Sequence, residues 1–101
     1  MTEREQLEYE ETRILVFNMA GGKCEVCGAP LEYTTFQLAH RIPQRKHFVK
    51  KYGKEVIHHE FNLAATCGLK CNNAVSIGGK PTAVESLATS IREEIDAEKR
   101  R

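Results

Sequence analysis

FNLAATCGLKCNN, residues 61–73, sets an asparagine five residues ahead of one cysteine and a second cysteine four residues beyond the first. Upstream, CEVCGAP (24–30) carries the other two cysteines of the chain. Cys24 and Cys27 are separated by two residues, Cys67 and Cys71 by three, and the pairs stand 40 residues apart. Two such turns can converge on one tetrahedral zinc, because a two-residue gap lets both thiolates face an ion about 2.3 Å away. The spacing therefore predicts a structural four-cysteine zinc site at Cys24, Cys27, Cys67 and Cys71, with no open position for water or substrate. Four unrelated core cysteines are the alternative, since free cysteine is often buried. A redox role for the Cys-x-x-Cys is disfavoured, because a second pair stands ready to share a metal and no βαβ pattern surrounds it.

Size makes a metal useful. A chain of 101 residues is one domain, here read as 1–101, and small domains of this kind often need a metal or a disulfide to hold them. The start, MTEREQLEYEETR, has no apolar signal region, and no apolar run approaches the roughly 20 residues of a membrane span. The chain reads as soluble and cytoplasmic, a setting that favours metal over disulfides.

The net charge of +1 hides an asymmetry. Residues 1–17 carry five acids against two bases, whereas residues 18–80 carry nine Lys/Arg against four acids. Within 41–54 there are six bases (Arg41, Arg45, Lys46, Lys50, Lys51, Lys54) and no acid. Such a run is either a solvated face or a patch that meets phosphates and gains by counterion release.

Helical signals flank the middle. Thr2 and Glu5 form a capping-box pattern, Leu7, Ile14, Leu15 and Met19 recur near helical spacing, and Gly21-Gly22 ends the run, so 2–20 is predicted helical. Thr82 and Glu85 repeat the pattern before Val84, Leu87, Ala88, Ile91 and Ile95, so 81–98 is predicted helical as well. These helices are expected to pack over the middle or against a partner chain. Between them the pattern predicts a strand over 35–42, a short basic helix over 44–52 ended by Gly53, an extended segment over 56–63, and a helix over 66–77 ended by Gly78-Gly79.

The pieces LAHRIP (38–43), FNLAATC (61–67) and CNN (71–73), in this order with both cysteine pairs, resemble the zinc-containing HNH endonucleases of the ββα-metal superfamily. The likeness covers about residues 20–78. It implies an α+β fold: a small ββα-metal core stapled by the four-cysteine zinc site and flanked by N- and C-terminal helices. It also implies a metal-dependent endonuclease hydrolysing phosphodiester bonds in DNA, of the small, free-standing phage or prophage type that acts in DNA processing or packaging. On this likeness His40 is the general base that activates water, a task suited to an imidazole whose ordinary pKa of about 6.5 lies near cellular pH. Asn62 is the residue that holds the His40 ring and its loop. Asn72 (or Asn73, one register along) matches the position that binds a catalytic Mg²⁺ or Mn²⁺ ion.

Two departures accompany the resemblance. Ala39 stands where many members have an Asp or His ligand, and the second cysteine pair is one residue wider than is common. Of the two neighbouring histidines that could supply the missing ligand, His58 and His59, the expectation falls on His59, and His47 is read as surface. Arg41, Arg45, Lys46, Lys50 and Lys51 follow the proposed base and would hold the DNA backbone without reading its bases. The partners implied are DNA, a second copy of the chain, or phage packaging proteins. The competing function is a catalytically inactive zinc module of the same fold that binds nucleic acid or a protein.

Overall fold

The computed structural model describes residues 2–78 and 80–100. Thr2 opens helix α1 (Glu3–Met19) through the expected capping box: its hydroxyl accepts from the Glu5 N–H at 3.2 Å, and the Glu5 carboxylate accepts from the Thr2 N–H at 3.4 Å. Val16 is the buried residue of this helix and packs with Phe36, Leu63 and Ala65. Leu7, Ile14, Leu15 and Met19, the apolar set read from the sequence, are instead exposed. Arg13 explains the rotation. Its guanidinium lies 4.0 Å from the Phe36 ring centroid and donates to the Tyr33 carbonyl at 2.8 Å, so a cation on aromatic rings occupies the inward face.

Strand β1 (Gln37–His40) pairs antiparallel with β2 (Leu63–Thr66), and His40 stands opposite Leu63. The strand is shorter than the predicted 35–42 at both ends. Phe36 N–H turns back to the Glu32 carbonyl at 3.0 Å, and Ile42 N–H is taken by the Asn62 side chain at 2.8 Å. Helix α2 (Lys46–Tyr52) runs to Gly53, whose φ of 86° and ψ of 156° lie in a region open essentially to glycine alone. The predicted extended segment over 56–63 is instead helix α3 (Lys54–Ile57) and a 3₁₀ turn (Glu60–Asn62), with only Leu63 entering a strand. Val56 and Ile57 are both buried, which a helical turn permits and an alternating strand with one covered face does not.

Helix α4 (Leu69–Val75) packs on both strands and is shorter than predicted because Thr66 belongs to β2. Gly78 takes a positive φ of 68° beyond it, while Gly79, the other half of the expected stop, lies outside the described residues. Helix α5 (Pro81–Lys99) buries Val84, Ala88, Ile91 and Ile95. Together they cover Ile42, Phe48, Val56 and Ile57, with Leu87 partly buried at the margin. Its cap departs from expectation. Lys80 precedes Pro81 at the first turn with no side-chain cap, and the Glu85 carboxylate accepts from Tyr52 Oη and pairs with Lys51 across to α2. The described residues thus form a small α+β unit with one core under α5 and another between α1 and the sheet. No helix among them is long and apolar enough to cross a membrane.

Candidate functional site

The four sulfurs converge. Cys24 sits after the α1 exit, where Gly28 N–H donates back to the Cys24 carbonyl at 2.9 Å and closes a tight knuckle around Cys27. Cys67 follows β2 and Cys71 lies on α4. All four ligand atoms fall within 4.8 Å of one another, with Cys27 to Cys67 at 3.6 Å and Cys67 to Cys71 at 3.7 Å. Sulfurs arranged tetrahedrally about 2.3 Å from one ion are separated by about 3.8 Å, so these two contacts are compatible with edges of such a site. Burial opposes ionisation of the Cys24 thiol, but backbone N–H groups of Cys27, Val26 and Cys67 aimed at its sulfur bring it down to about 6. Cys71 is pushed up to about 12 by the adjacent Cys67 sulfur and by burial. A fourth thiolate beside three others needs a cation, and this cluster can hold one.

His40 ends β1 on the face that also carries Leu38, Leu63 and Ala65, since antiparallel partners share a face and neighbours alternate. It opens into a cleft of about 1200 Å³. Lys54 of α3 and His58 just after it, Gln44 from the β1–α2 loop, and Asn72, Asn73 and Ser76 at α4 line that cleft. Glu5, Glu8 and Tyr9 of α1 also line it, so part of the acidic N-terminal helix borders the same cleft as His40. Ala39 is fully buried on the other face of the sheet and contributes nothing to the cleft. His40 Nε2 lies 3.3 Å from His58 Nδ1 and 2.7 Å from the Gln44 amide nitrogen. Burial, reinforced by the His58 ring, lowers the His40 pKa to about 4. Burial and then Lys54 lower that of His58. Both rings are therefore neutral near pH 7.

Asn62 is buried and acts on the loop after His40 rather than on the ring. Its Oδ1 accepts from Ile42 N–H at 2.8 Å, and its Nδ2 donates to the Ile57 carbonyl at 2.8 Å and the Ile42 carbonyl at 3.3 Å. It is a positioning residue that ties the exit of β1 to the end of α3. Asn72 faces the cleft and donates to the Gln37 side-chain oxygen at 3.3 Å.

His59 departs from expectation: it does not line the cleft. It precedes the 3₁₀ turn, where its Nδ1 accepts from Phe61 N–H at 3.1 Å and its Nε2 lies 3.2 Å from Glu98 on α5. A neutral ring whose Nδ1 accepts must carry its proton on Nε2, which donates to Glu98. His59, Glu60 and Glu98 are close enough to cage an ion, yet an ion on Nε2 would have to displace that proton. The trio works as a latch on the C-terminal helix. The histidine that reaches His40 is His58.

The basic run divides. Arg41 donates to the Phe61 carbonyl at 3.3 Å and pairs with Glu25 at 3.5 Å, and Lys51 pairs with Glu85 at 3.4 Å, so both serve the fold. Arg45, Lys46 and Lys50 are exposed around α2, and Lys54 stands at the cleft rim. Gln44 is the cleft residue that motif reading passed over; His58 was weighed but placed behind His59, and Lys54 was read only as part of the basic run. Comparison with protein-family models, with curated proteins and with solved structures finds no match.

Proposed function

We propose that the chain is a metal-dependent DNA endonuclease with an HNH-type ββα core, stapled by zinc on Cys24, Cys27, Cys67 and Cys71. The observation that carries this reading is the shared cleft: His40 at the end of β1 and Asn72 on α4 line the same cavity, while Asn62 fixes the loop between them. In this reading the neutral His40 imidazole takes a proton from water, the oxygen bonds to phosphorus, and one P–O ester bond breaks. The departing oxygen recovers a proton from solvent. A bound Mg²⁺ or Mn²⁺, which Asn72 and His58 would help to hold, would supply positive charge to the leaving oxygen. Arg45, Lys46, Lys50 and Lys54 would hold the DNA backbone, with little reading of sequence. The setting in phage-type DNA processing follows from the motif resemblance.

A second reading has a specific observation in its favour. Ala39 offers no ligand, and Glu5 and Glu8 face the cleft, where they oppose a phosphate. A zinc module that binds nucleic acid without cutting it would tolerate both. Supercoiled plasmid incubated with Mg²⁺, Mn²⁺ or chelator separates the two. The nuclease reading expects nicking that chelator stops and that His40→Ala lowers by roughly 100-fold or more, the usual range for a general base. Salt-sensitive DNA binding with no cleavage in any metal would establish the module instead.

A further inference from the structure

The His40–His58 contact is unusual as a hydrogen bond. It comes from segments 18 residues apart, lies in an open cleft, and joins two rings at an interplanar angle of 79°. Its length of 3.3 Å exceeds the usual 2.9–3.0 Å of a well-formed N–H donor contact. Two imidazole nitrogens bound to one tetrahedral ion at about 2.0–2.1 Å are separated by about 3.3–3.4 Å. The separation thus matches a ligand edge better than a shared proton, by the same reasoning that reads the sulfur edges of the cysteine cluster.

We propose that His40 Nε2 and His58 Nδ1 form a second metal site, separate from the four cysteines, that takes a divalent transition ion of the Zn²⁺, Co²⁺ or Ni²⁺ class. Imidazole nitrogens select such ions over Mg²⁺, which prefers oxygen. Gln44 is the third side chain at the site; its amide lies 2.7 Å from His40 Nε2, closer than a ligand edge, so its carbonyl oxygen would serve as a neutral ligand only after the side chain rotates and draws back. The remaining positions face the cleft and are open to water or a phosphate oxygen. The site goes beyond the nuclease reading and constrains it. An ion on Nε2 takes the lone pair with which His40 would act as base, so occupancy by such an ion and proton abstraction exclude each other.

The test uses the full chain, without nucleic acid, dialysed against excess Zn²⁺, with bound zinc counted by elemental analysis. Wild type is expected to hold two ions per chain, and His58→Ala and His40→Ala one each. His59→Ala is expected to keep two. Retention of the first ion and an unchanged far-UV spectrum show that each variant is folded. In the wild type, addition of the second equivalent should shift the NMR signals of both the His40 and His58 rings, a readout that needs no substitution. A single ion in wild type, a second ion that survives both substitutions, loss of the second ion in His59→Ala, or unmoved rings would overturn the assignment. Failure to nick plasmid leaves these measurements as they are, so the two readings fail separately.

Discussion

His40 illustrates how a surface cleft can retune one side chain. The ring is partly covered, and a second imidazole stands against it, so a proton there would sit in a poorly solvated place beside another ring that can itself become charged. Both effects disfavour the cation and lower the pKa from 6.5 to about 4. The linkage follows from the sign. Between those two values the unfolded chain binds the proton more readily than the folded one, so acidification from 6.5 downward removes stability. The loss is complete below the folded value. Proton NMR of the His40 ring, recorded with no divalent ion added, should give a titration midpoint near 4. A midpoint at the ordinary 6.5 would mean that neither burial nor His58 governs the ring.

The loop that presents His40 depends on Asn62, which links β1, α3 and the 3₁₀ turn through three hydrogen bonds inside a sealed pocket. Asn62→Ala leaves the Ile42 N–H and the Ile57 carbonyl buried without partners and should destabilise the fold by about 3 kcal/mol, from roughly 1–3 kcal/mol for each orphaned group. Asn62→Asp keeps an acceptor for Ile42 N–H but turns an oxygen toward the Ile57 carbonyl, so it should also destabilise. Urea unfolding of both variants measures this, and a midpoint unmoved by either would remove the clamp from the account. This region also marks the limit of what the sequence discloses. The terminal helices were legible for different reasons: Thr2 and Glu5 cap α1 as read although its apolar set was misplaced, and a repeating stripe at Val84, Ala88, Ile91 and Ile95 marks α5 although its cap was misread. The segment 54–62 was not. Val56 and Ile57 form an apolar run too short to separate strand from helix. The choice between His58 and His59 is made by the backbone between them, which passes from the end of α3 at His58 to an extended His59 and leaves one ring in the cleft and the other against Glu98. The cysteine site was readable because spacing alone constrains how thiolates can meet.

The described residues are built around two modest apolar clusters, one under α5 and one between α1 and the sheet. The cysteines join the exit of α1 to the end of β2 and to α4. Cys24 and Cys27 belong to the segment leaving α1, Cys67 to the turn after β2 and Cys71 to α4, so an ion held there would close a loop of 40 residues that also contains His40 and its cleft. Glu25 reinforces the same junction, accepting from Ala65 N–H at 2.8 Å while it holds Arg41. Structural zinc sites contribute on the order of 10 kcal/mol, against a total stability of about 5–15 kcal/mol for an ordinary domain. Without the ion, four crowded thiols remain, one of them already acidic and another raised to about 12, and nothing compensates for their packing. Removal of the metal with a strong chelator under reducing conditions should therefore abolish the cooperative thermal transition. Re-addition of zinc should restore it, and Cys24→Ser should reproduce the loss without chelator. Far-UV circular dichroism during melting provides the measurement. The cluster under α5 contains no cysteine, so residual helix from α5 is expected to survive chelation while the β1–β2 pairing does not. A melting curve unchanged by chelator would show that the apolar clusters hold the chain by themselves, and that the convergence of the sulfurs follows from the fold instead of supporting it.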